Sequence, residues 1–195
     1  MAYFWLAIKK HKIMELDSNQ LLKDLSLKCM SGHTAIATPS GEKAISDLYK
    51  GDSVLAFSAK LESGKLQLSS SEGKVTFSGG TQGFNNAIYL VFGDNKEMIC
   101  TVDQPFLLEN GKYARGLQLI PVQHLVDKDG NSVEVKLVSI GQYYGIINGI
   151  AVNDLKFTSP DDHLLLAQGV IVGDFIFQMY FDSLPDNLKE INNEI

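Results

Sequence analysis

At 195 residues, 45% of them hydrophobic, the chain has the length of one ordinary domain and enough apolar content to build a core unaided by metal or disulfide. A net charge of -6, with 17 Lys and Arg that form no cluster, excludes the basic footprint of a nucleic-acid binder. Only Cys29 and Cys100 carry thiols, so a disulfide framework is excluded. His33, His124 and His163 form no C-x-x-C or H-x-x-x-H spacing with them, so no metal or other cofactor is expected.

The chain opens on an apolar run, Ala2 to Ile8, too short to span a bilayer. Its lysines, Lys9, Lys10 and Lys12, follow the run where an export signal needs them in front. A cytoplasmic protein without membrane contact is therefore expected. Asp17 or Ser18 can cap a helix whose Leu21, Leu22 and Leu25 share a face. At Cys29 the period changes to that of strands, which divides the chain into a flanking segment, 1–28, and a β domain.

Short β-prone runs follow, at 34–38, 54–57, 87–92, 98–102 and 106–108, separated by turn signals such as Pro39-Ser40-Gly41, Lys50-Gly51-Asp52 and Glu109-Asn110-Gly111. The Ser- and Gly-rich stretch 60–86 reads as an exposed hairpin or mobile loop. Leu48, Lys50 and Val54 are echoed by Leu119, Pro121 and Leu125 at an offset of 71, a weak internal duplication. Strands are expected over 135–152 and 154–157. The apolar run 163–177 reads as a buried strand pair turning at Gly169, which can take positive φ. Leu188, Ile191 and Ile195 stand at helical spacing behind Pro185 and predict a short terminal helix. The fold class is all-β.

Taken singly, the reactive side chains have bland readings. A lone cysteine is usually a small buried hydrophobe, and Cys100 inside an apolar strand fits that role. His163, ahead of three leucines, reads as a hydrogen-bonded core histidine. Asp161-Asp162 after Ser159-Pro160 reads as a turn facing water.

Their order along the chain adds more. Cys29-x-Ser31-Gly32-x-Thr34, then Pro39-x-Gly41 and Ile45-x-Asp47-Leu48-x-x-Gly51-Asp52-x-Val54, resembles the opening motif of the Hint superfamily, the autoprocessing domains of inteins, hedgehog proteins and bacterial intein-like proteins. Thr101-Val102-Asp103-Gln104-Pro105-Phe106 is similar to the second motif, Thr-x-x-His followed by Pro-Phe. Asn153-Asp154-Leu155 through His163 to Gly173-Asp174 resembles the closing motifs. The resemblance spans 29–174, leaves no room for an inserted nuclease, and implies a curled horseshoe of hairpins with pseudo-two-fold halves; 175–195 would add a strand and a short helix.

The resemblance implies an N-to-S acyl shift in which the Cys29 thiolate attacks the Lys28 carbonyl, with the chain's own N-terminal segment as substrate. Thr101 would orient the scissile bond. The fourth residue of its motif would protonate the departing nitrogen, but here it is Gln104, whose amide donates a hydrogen bond and delivers no proton. Asp154 would help activate the thiol, and His163 would assist at the C-terminal junction. There Gly173 and Asp174 replace the usual His-Asn pair and Phe175 offers no nucleophile, so splicing is not expected. Nor is sterol transfer, with so short a tail. The resemblance thus leads to cis cleavage at Lys28-Cys29 alone. A silent Hint scaffold that binds a partner is the second reading. A cysteine hydrolase acting in trans through Cys29 and His163 is the third.

Overall fold

The computed structural model describes residues 30–190; Cys29, the helix expected within 1–28, and Ile191 and Ile195 lie outside the described residues. Among the described residues twelve strands pair antiparallel: β1 (Met30–Ser31), β2 (Ala35–Thr38), β3 (Gly41–Ala44), β4 (Ser53–Glu62), β5 (Lys65–Phe92), β6 (Lys96–Thr101), β7 (Pro105–Leu107), β8 (Tyr113–Arg115), β9 (His124–Val126), β10 (Ser132–Val152), β11 (Leu164–Ala167) and β12 (Val170–Gly173). Among them one α-helix, α1 (Phe175–Tyr180), follows β12.

Two long strands organise the rest. β5 pairs with β4 over its first ten residues and with β10 from Val75 to Phe92. The Ser/Gly-rich stretch is thus an exposed hairpin, as composition suggested, but it continues as strand where a mobile loop was the other expectation. The glycines there make room: a Cβ on Gly73 would come 2.6 Å from Val152 Cγ1, and one on Gly80 would come 2.5 Å from Asn148 Nδ2. A stretch that looks too polar to pack is held by ladder hydrogen bonds and close backbone approach.

The faint duplication is structural. One half runs from β3 through a 3-10 turn at Ile45–Asp47 to buried Leu48 and then β4. The other runs from β8 through a 3-10 turn at Gly116–Gln118 to buried Leu119 and then β9, each feature displaced by 71 positions. Leu48 and Leu119 fill one core with Met30, Ile88, Cys100, Phe106 and Val172.

Two strand predictions and one helix prediction moved. Leu155 to Phe157 is not strand: Asn153 takes φ 60° and Asp154 Oδ1 accepts from Lys156 N at 3.1 Å, which turns the chain out of β10. Phe175 to Phe177 begins α1, because Asp174 caps it by accepting from Phe177 N at 2.8 Å. The expected terminal helix is, among the described residues, a single 3-10 turn at Asp186–Leu188, after which Lys189 bridges to Tyr113 and Glu190 N donates to Tyr113 O. The turn at Gln168-Gly169 is as expected, with φ of 50° and 85°.

Candidate functional site

β1 is the strand that carries the chain out of Cys29. Its first residue, Met30, pairs with Cys100 on β6 and with Asn148 on β10. Antiparallel register then makes Thr101 and Gly149 the next residues out on the two neighbouring strands, bordering the entry of the chain into the sheet. Met30 and Cys100 face the core; Cys100 is fully buried and burial pushes its thiol pKa far up, so it is an inert core side chain.

Thr101 is buried on the opposite face, and its hydroxyl is closely held. Oγ1 donates to Asp103 Oδ1 at 2.9 Å and accepts from Gln178 Nε2 at 2.9 Å. Gln178 Nε2 also lies 2.7 Å from Asp103 Oδ1. Gln104, also buried, turns elsewhere: its Nε2 donates to the Gly173 carbonyl at 2.7 Å.

His163 and Asp174 meet in the closing stretch, with Nδ1 3.0 Å from Oδ2 and both side chains buried. Asp174 is the acceptor for three groups. Oδ2 takes Val152 N at 2.9 Å and the His163 ring, and Oδ1 takes Phe177 N. His163 Nε2 faces the Lys156 carbonyl at 3.4 Å. Burial pulls the His163 pKa down, but the Asp174 hydrogen bond and charge, the Lys156 carbonyl and the charge of Asp154 outweigh it, and the net shift is upward. With acceptors at both nitrogens, the imidazolium form satisfies the ring best. His163 is thus a buried, hydrogen-bonded histidine set against the start of the closing helix.

Asp154 is exposed; its carboxylate serves the turn at Lys156 and adds to the field on His163. Asp161 and Asp162 lie in a turn, as read. Among the described residues no group of three or more His, Cys, Asp or Glu could hold a metal, and no helix is long and apolar enough to cross a membrane.

Four of the candidate residues, Thr101, Gln104, His163 and Asp174, are joined by one stretch, the β12–α1 junction. Gly173 offers its carbonyl to Gln104, Asp174 binds His163, and Gln178, one turn into α1, binds Thr101. Residue reading missed Asp103, Gln178 and the helix itself. The signal was an Asp four residues ahead of a Gln, which in a helix places the cap and the Gln on one face. It was hidden because Phe175, Ile176 and Phe177 read as strand. The junction is also tightly filled. A Cβ on Gly173 would come 2.6 Å from Phe177 Cδ1 and 3.1 Å from Pro105 Cβ, so the histidine of the family pattern has no room there.

No family model matches the sequence, and no curated protein matches it either. Solved structures do. A bacterial intein-like domain from Clostridium thermocellum aligns at 19% identity over 76% of this chain and 99% of its own, with a TM-score of 0.59. A DnaB intein from Synechocystis sp. aligns at 21% identity over 75% of this chain and 98% of its own, with a TM-score of 0.56. Antiparallel hairpins wound on two long strands, duplicated halves and near-complete coverage of these neighbours agree: this chain has the Hint fold, the fold of the inteins.

Proposed function

We propose that the chain is a cis-acting autoprocessing domain that cuts itself at Lys28-Cys29 and leaves its C-terminal side intact. In this reaction Cys29 Sγ adds to the Lys28 carbonyl carbon. The C–N bond then breaks, the nitrogen takes a proton and becomes the amine of Cys29, and a thioester remains. Water or an external thiol attacks the thioester, releasing residues 1–28 and returning the proton to Sγ. A reactive thiol of this kind works in a reducing compartment, which agrees with a cytoplasmic location.

One observation carries the reading: the strand entered from Cys29 is bordered by Thr101, a buried hydroxyl fixed on both sides by Asp103 and Gln178. A fixed polar group beside a peptide bond is the kind of preorganised contact that weakens it. The other end supports cleavage at the first junction only, because Asp174 leads straight into buried helix.

A second reading is favoured by Gln104. Its amide is spent on the Gly173 carbonyl and has no proton to give. Lack of a general acid slows such a step by roughly 10²- to 10⁴-fold, which would leave a silent Hint scaffold.

The mass of the intact protein, followed over days with and without added thiol beside Cys29→Ala, separates the two. Thiol-accelerated loss of residues 1–28, absent in Cys29→Ala and faster in Gln104→His, is the expected result. Full-length mass in every sample, Gln104→His included, overturns the cleavage reading in favour of the scaffold.

A further inference from the structure

The middle of the β5–β10 pair is a two-stranded ribbon whose polarity is inverted. Register places Ile140, Gln142, Tyr144, Ile146 and Asn148 on one face of β10, opposite Ile88, Asn86, Phe84, Gln82 and Gly80. The contact between the Phe84 and Tyr144 rings, with centroids 4.8 Å apart, confirms the shared face. On the other face, Tyr143 and Ile147 pack with Phe175, Ile176 and Met179 of α1.

A ribbon covered on one side should turn polar residues to the other. Here the other face, buried at one end where Ile88 joins the core, carries Phe84, Tyr144, Ile140 and Ile146, exposed by 75%, 61%, 61% and 48% and covered by no described element. Single exposed apolar residues need no explanation, but a contiguous stripe on a free face does. At its inner end Asn148 Oδ1 is buried without a hydrogen-bond partner among the described residues, so an acceptor also waits there.

We propose that this face is the seat of the chain's own N-terminal segment, with the apolar run Tyr3-Phe4-Trp5-Leu6 lying across Phe84, Tyr144 and Ile146. The segment is tethered at the right place, since it ends where Met30 pairs with Asn148. It is long enough: the chain from Ile8 to Met30 reaches on the order of 70 Å when extended, whereas the stripe from Ile140 to Asn148 is about 26 Å of strand. It matches in chemistry, because its aromatic run meets an uncharged face. The segment is also net basic, Lys9, Lys10, Lys12, Lys23 and Lys28 outnumbering Glu15, Asp17 and Asp24, so long-range attraction draws it to the rest of a chain that is acidic overall.

The inference stands whether or not Lys28-Cys29 is cut. If it is cut, release of the segment uncovers the stripe.

The chain supplies its own probe, because Trp5 is its one tryptophan. In full-length Cys29→Ala, which keeps the segment attached, Trp5 emission is expected to be blue-shifted and severalfold less quenched by acrylamide than in the same chain carrying Phe84→Ser and Tyr144→Ser. Both substitutions lie on exposed strand, and an unchanged thermal midpoint outside the segment checks the fold. A reciprocal variant, Phe4→Ser with Trp5→Ser, should raise binding of an apolar dye at the ribbon. Equal quenching with and without the ribbon substitutions, or a shielding of Trp5 that they leave untouched, overturns the proposal. So does protection that appears only as the protein dimerises, since a second copy would then be the occupant.

Discussion

The two ends of the Hint domain are built differently. At the entry, β1 leads in from Cys29 past a hydroxyl, a carboxylate and an amide that hold one another: Thr101, Asp103 and Gln178. At the exit, β12 runs into a helix with a buried carboxylate as its cap, and that carboxylate also binds His163 and Val152 N. The entry has polar groups on the strand that flanks β1 and on the helix behind it. At the exit the same kinds of group are used up in holding helix to sheet. The polar side chains of the exit are thus committed to structure, which is why the cleavage proposed above is placed at the entry.

Removing the carboxylate tests this most severely. Asp174→Ala leaves Val152 N, Phe177 N and His163 Nδ1 without their acceptor. Leaving a buried donor unsatisfied costs about 1–3 kcal/mol each, so a large fall in the urea midpoint is expected. Asp174→Asn keeps a cap for α1 but turns an N–H toward Val152 N or His163, and should destabilise by about 1–3 kcal/mol without releasing any C-terminal fragment. If Asp174→Asn yields that fragment on a mass spectrum, the exit is chemically alive and the contrast between the ends fails.

Gly173→Ala comes next. The new Cβ must displace Phe177, which is fully buried among Tyr113, Phe157 and Phe181. Overpacking of this sort costs about 1–3 kcal/mol, readable in the same unfolding experiment. A neutral result would mean that the junction yields easily, and that a histidine could be restored there after all.

Much of this was legible in the sequence for a physical reason. Motif order placed Thr101, Gln104, His163 and Asp174, and the offset of 71 anticipated the paired 3-10 turns, because both are carried by residue type at fixed spacing. What stayed hidden depends on competition between local signals. Phe175, Ile176 and Phe177 are as good in a strand as in a buried helix, and only the cap at Asp174 decides. The Ser/Gly stretch looked like loop because its packing is done by the backbone of partners far along the chain, through Gly73 and Gly80. Gln178 could not be assigned to Thr101 until the helix was known, since its contact spans 77 residues.

The smallest expected effect is on pH dependence, and it separates the ends by sign. His163 faces Asp174 on β12–α1, Asp154 on the turn and the Lys156 carbonyl, and its pKa in the folded chain is raised above the unfolded value of about 6.5. The folded state therefore holds the proton more tightly. The stability this provides is fully present below about pH 6.5 and is lost as pH rises through the folded pKa. Wild-type stability, measured by urea unfolding, should fall over that window while His163→Asn stays flat, since asparagine keeps a donor toward Asp174 without a titration. Among the described residues Thr101 is held by Asp103 and Gln178, neither of them a histidine, so Gln178→Ala should lower stability by about 1 kcal/mol and leave the pH profile in place. If wild-type stability instead rose through neutrality, burial would outweigh Asp174, His163 would sit neutral, and the exit would hold a base ready for chemistry in place of a salt bridge.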